Sequence, residues 1–86
     1  MPLFPAARCF LLSGPADWAG DAPHPTPRRQ LFCFLRGELE VTASDGETRR
    51  FVPGAVLLLE DTTGKGHATR VVGGAEFLIL GVALAE

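Results

Sequence analysis

The sequence predicts an all-β domain, on three grounds. Short runs of β-branched, aromatic and aliphatic residues recur about every 8–12 residues between turn signals, the pattern of an antiparallel barrel or sandwich. Glycine and proline (10 and 7 of 86 residues) interrupt the chain so often that no apolar pattern holds a helical period over three turns beyond the opening segment. The run Gln30 to Arg36 is apolar on both of its alternating faces, as in a strand covered on two sides.

The elements follow in order. Ala7 to Leu12 is the first expected strand, and Ser13 to Pro23 is a loop rich in Gly, Pro, Asp and Ala with Trp18 as its anchor. Gln30 to Arg36 is the strongest strand and ends at a tight Arg36-Gly37 turn. Glu38 to Ala43 and Glu47 to Val52 form a hairpin about Ser44-Asp45-Gly46, because Asp-Gly tolerates positive φ. Pro53-Gly54 turns the chain into Ala55 to Leu59. A loop from Glu60 to Gly66 leads to His67 to Val72, and Gly73-Gly74 turns into the last strand, Ala75 to Leu84.

At 86 residues the chain is one domain, residues 1–86, burying about two-thirds of the surface its unfolded form exposes. The surplus of apolar residues, and the two-sided apolar strand, predict a homodimer. Basic residues are scattered and the net charge is −2, so no single-sign stripe points to nucleic acid. No segment reaches the about 18 apolar residues of a membrane span, and the opening CFLL is too short for a signal sequence. A cytoplasmic protein is expected, with Cys9 and Cys33 as buried, reduced thiols.

The candidate site comes from strand parity and spacing. Gln30, Phe32 and Phe34 share one face, and an extended HPTP segment would put His24 and Thr26 on it too. Val56, Leu58 and Phe77 are expected to complete an apolar cavity. The loop Asp61 to Gly66 has neither the upstream glycine nor the following helix of a phosphate-binding loop, and is read as a rim that places His67, with Lys65 available to attract an acidic ligand. Arg28 and Arg29 flank the pocket strand and are read as solvated or paired with Glu38 or Glu40, the alternative being that one faces a substrate carboxylate.

His24, Thr26, Gln30 and Gly37 hold the spacing of a His-x-His-x3-Glu run and its later glycine, and Pro53-Gly54 followed by His67 holds a second half-motif. These residues resemble the two motifs of the cupin superfamily, small antiparallel β-barrels whose motifs line one pocket. The resemblance spans about Trp18 to Val82. It implies a cupin-type barrel or jelly roll. HPTPRRQ, SDGETRRF and LLLEDTTGKGH look like a bacterial subgroup of small cupin-domain proteins, beside which this chain is expected to be short by one or two N-terminal strands.

In that family three histidines and a glutamate hold a divalent metal (Fe, Zn, Mn, Ni or Cu). Carried over, His24 and His67 remain as ligands and Gln30 offers a neutral oxygen, while Thr26 replaces one histidine. Loss of the carboxylate removes the main compensating charge for a dication, which Asp61 or Glu60 could restore in part. Two functions stay open. One is a small-molecule-binding domain with His24, Gln30, Phe32, Phe34 and His67 at its pocket. The other is a metal-dependent enzyme, an oxygenase or isomerase on a small organic acid, with metal on His24, His67 and Gln30. A domain serving assembly alone is a third.

Overall fold

The computed structural model describes residues 5–20, 25–26 and 28–85. Among these the chain forms seven strands and no helix: β1 (Ala6–Gly14), β2 (Gln30–Arg36), β3 (Glu38–Ala43), β4 (Thr48–Phe51), β5 (Val56–Leu59), β6 (His67–Val72) and β7 (Phe77–Leu84). All pairings are antiparallel, in a four-stranded sheet ordered β1-β7-β2-β5 and a three-stranded sheet ordered β4-β3-β6. The all-β expectation is met. No helix among the described residues is long and apolar enough to cross a membrane.

β2, β3 and β6 have the expected bounds; the other ends differ for local reasons. Glu47 is spent on the hairpin turn, its N–H donating to the Asp45 carboxylate at 2.9 Å and its carbonyl accepting from Ala43 at 2.8 Å, so β4 starts one residue later. Val52 accepts from Ala55 N–H at 3.0 Å and belongs to the Pro53-Gly54 turn. β1 runs on to Gly14 because Gly14 pairs with Phe77. Gly37 joins the sheets at φ +79°, where a Cβ would come within 2.5 Å of the Glu76 carbonyl oxygen. Only glycine meets both demands.

The core lies between the sheets. Phe34 (2% exposed) and Ile79 pair across β2 and β7, and Leu39 (0% exposed) of β3 closes on them with Phe77. Phe51 of β4 stacks on Phe34 at a centroid distance of 5.0 Å and an interplanar angle of 10°. Each of these buried side chains contributes about 1.5–3 kcal/mol of transfer free energy.

The two outer faces are opposite in character. On the three-stranded sheet, Glu40 pairs with Arg70 at 2.7 Å, Arg50 lies 3.6 Å from Glu38, and the Thr42 and Thr48 hydroxyls meet at 2.9 Å. On the four-stranded sheet the register puts Leu11 and Leu80, Cys33 and Val56, and Leu31 and Leu58 side by side on the outer face. Leu11, Val56 and Leu58 are 65%, 61% and 40% exposed.

That register corrects three expectations. Val56 and Leu58 point away from the inter-sheet space, and their neighbours Leu57 and Leu59, opposite Phe32 and Gln30, point into it. Cys9 is exposed rather than buried, and Cys33 is half-buried on the outer face; both are free thiols. Arg29 pairs with Glu60 at 3.0 Å, because the start of β2 lies beside the end of β5, while Glu38 and Glu40 are engaged by Arg50 and Arg70.

Candidate functional site

Gln30 and His67 belong to different sheets. Gln30 opens β2 opposite Leu59 and Ala83, and His67 opens β6 opposite Ala43. Both line a cavity of about 360 Å³ between the sheets. Leu12, Phe32, Phe77 and Ile79 of the four-stranded sheet form one wall, and Leu39 and Thr69 of the other sheet form the opposing one. Trp18 lies along one side, its ring centroid 5.4 Å from that of Phe77. It is held by its backbone: the Trp18 carbonyl accepts from Val71 and Gly20 N–H donates to Thr69, both at 2.9 Å, so this part of the loop runs beside β6.

His67 is buried, and its orientation is set by Asp61. Nδ1 of the ring lies 2.7 Å from one Asp61 carboxylate oxygen, and the Thr26 hydroxyl donates to the other at 2.6 Å. Thr26 N–H also donates to the Asp61 carbonyl at 2.9 Å. Asp61 thus ties the segment before β2 to the loop before β6. A carboxylate on Nδ1 holds the proton there and leaves the lone pair of the neutral ring on Nε2. Partial burial by itself would raise the Asp61 pKa. The hydrogen bonds from Thr26 and His67 and the charge of a protonated His67 outweigh that effect, and the carboxyl lies below its ordinary range.

Of the expected site residues, the structure brings Gln30, Phe32 and His67 together and places Thr26 among them. His24 lies outside the described residues. Phe34 is part of the packed core behind the cavity, one stride deeper along β2 than Phe32. Phe77 lines the cavity as expected, whereas Val56 and Leu58 border a second recess of about 460 Å³ between β3–β4 and β5, which His67 also borders. Leu12, Leu39 and Thr69 were not anticipated. The alternation Leu39, Val41 along β3 was the available signal for one of them, but the pairing of the two sheets was not readable from spacing.

The described donors do not make a metal set. Both oxygens of Asp61 are engaged by Thr26 and His67, Gln30 is neutral, and Glu60 pairs with Arg29 outside the cavity. No three His, Cys, Asp or Glu side chains converge among the described residues.

No family model matches the chain, and no curated protein matches it. Solved structures do. A cupin superfamily protein from Desulfitobacterium hafniense aligns over 100% of this chain and 75% of its own at a TM-score of 0.63 and 22% identity. Protein NMB1881 from Neisseria meningitidis aligns over 90% of this chain and 72% of its own at a TM-score of 0.61 and 14% identity. The chain is a small all-β protein with a fold like that of a cupin domain.

Proposed function

We propose that the chain is a small-molecule-binding domain of the cupin type, in the jelly-roll form, with its site in the cavity around Gln30 and His67. One observation carries the reading: polar groups from two sheets converge in an otherwise apolar, aromatic-walled space, the make-up of a small-ligand site. His24, two positions before the anchored Thr26, belongs to the same proposal by its place in the sequence. The test is a fragment set of mixed charge titrated against the fluorescence of Trp18, the sole tryptophan. Saturable quenching by at least one member is expected. If none acts at millimolar concentration, the site is not a binding site.

The same proposal includes a homodimer in the cytoplasm, built by a second copy covering the outer face of the four-stranded sheet. Its support is the contrast between the sheets: one outer face is laced with ion pairs, and the other presents apolar side chains across four strands. A sheet apolar on both faces is normally covered on both, and exposed apolar patches of that extent mark interfaces. The free thiols of Cys9 and Cys33 fit a reducing compartment.

A further inference from the structure

We propose that the inter-sheet cavity selects an uncharged one- or two-ring molecule bearing an amide or lactam edge, and rejects the corresponding carboxylic acid. The proposal rests on the cavity being a ligand site.

Charge comes first. Among the described residues, no Lys, Arg, Asp or Glu lines the cavity. Among the described residues that line it, His67 is the one that can carry charge, and it is paired with Asp61. With His67 protonated the pair sums to zero, and with His67 neutral it sums to minus one. In neither state does it present net positive charge. A carboxylate entering this space would lose its hydration against Leu12, Phe32, Phe77 and Ile79 and meet no Lys or Arg among the described residues that line it. Arg29 pairs with Glu60, Arg70 with Glu40, Arg49 with Glu47 and Arg50 with Glu38, while Arg8 and Arg28 border an adjoining recess that shares Leu12, Gln30 and Phe32 with the cavity but are not among the residues lining the cavity itself.

Polarity comes second. The half-buried Gln30 side chain has no hydrogen-bond partner among the described residues, although it faces the cavity. A primary amide offers a carbonyl acceptor and an N–H donor side by side. Its complement is a group with the same two functions reversed, which an amide or lactam supplies and a carboxylate, an acceptor only, does not.

Shape comes third. Trp18, Phe77 and Phe32 give the walls aromatic faces and edges, and about 360 Å³ is at the lower end of the volumes that hold small ligands. A flat ring fits such walls better than a branched chain.

The test uses the full chain and matched probes: benzamide and 2-quinolinone against benzoate at pH 8, read by Trp18 fluorescence and by amide chemical shifts of β2 and β6. The expected result is saturable binding of the two neutral probes, with benzoate weaker by about tenfold or more, the equivalent of about 1.4 kcal/mol. Gln30→Leu is expected to weaken benzamide by about fivefold or more while the melting curve stays cooperative. Benzoate binding as tightly as benzamide would overturn the neutral class and leave the cavity a ligand site. Benzamide binding unchanged in Gln30→Leu would overturn the role of Gln30. Failure of every probe, together with the mixed-charge fragments, would remove both readings. The comparison of amide with acid in the unaltered protein stands whatever the variant does.

Discussion

Asp61 grips the imidazole of His67 at Nδ1, 2.7 Å away, with a carboxylate whose other oxygen is taken by Thr26 at 2.6 Å. The clasp joins segments far apart in sequence and fixes a ring on the cavity wall, so its loss should be felt in both stability and ligand geometry.

The pH dependence of stability follows from Asp61. Its folded pKa lies below its unfolded value, so its contribution is complete above the unfolded value of about 3.9 and is lost as pH falls through the lower folded one. Asp61→Asn should be less stable than the parent by about 1–2 kcal/mol at pH 7. Urea melts of both proteins between pH 3 and 7 check this: the gap should narrow as pH drops below about 4. A constant gap would mean that the carboxylate's ionisation contributes nothing.

Core and surface should respond on different scales. Leu39→Ala removes a fully buried side chain and should cost about 2–5 kcal/mol. Glu40→Ala breaks a solvent-facing pair with Arg70 and should cost less than about 1 kcal/mol. Denaturant midpoints at constant slope provide the comparison.

Gly37 should tolerate no side chain. Its φ of +79° and the nearby Glu76 carbonyl impose separate penalties, so Gly37→Ala should lower stability by more than about 1 kcal/mol. A thermal melt unchanged by the substitution would show that the β2–β3 turn can relax.

Sedimentation should give twice the chain mass at micromolar concentration. Leu11→Glu combined with Val56→Glu places charge on the apolar outer face and should yield a monomer, while Thr42→Glu on the ion-paired sheet should leave the mass alone. A parent protein that sediments as a monomer ends the dimer proposal.

Metal content distinguishes the binding domain from the metal-dependent alternative. Protein purified without chelators should carry well under one equivalent of iron, zinc, manganese, nickel or copper, with no difference in His67→Ala. Near-stoichiometric metal lost in that variant would restore the enzyme reading and give His24 a ligand's role.

The strands were legible because each carries its own signal. Gln30 to Arg36 is aromatic and aliphatic and stops at Gly37, His67 to Val72 carries β-branched side chains between Gly66 and Gly73, and Asp45-Gly46 dictates its hairpin. The site was half legible. Parity within β2 correctly set Gln30 beside Phe32, but the face of β5 depends on its register against β2, and the pairing of Gln30 with Leu59 turned Val56 and Leu58 outward. A shift of one residue would have done the reverse. Asp61 was noticed as an oxygen ligand rather than as the anchor of Thr26 and His67, since hydrogen bonds between distant loops leave no spacing to read.

The pairing of β1 with β7 has a further result, in time rather than in space. The Phe10 ring lies across Gly81, and the two residues come from opposite ends of the described chain. During synthesis β1 emerges before any other described strand and has no partner until β7 has followed it. Contacts of such long range close slowly. Until then an apolar strand stands open to other nascent chains. The last strand therefore decides when the first one folds.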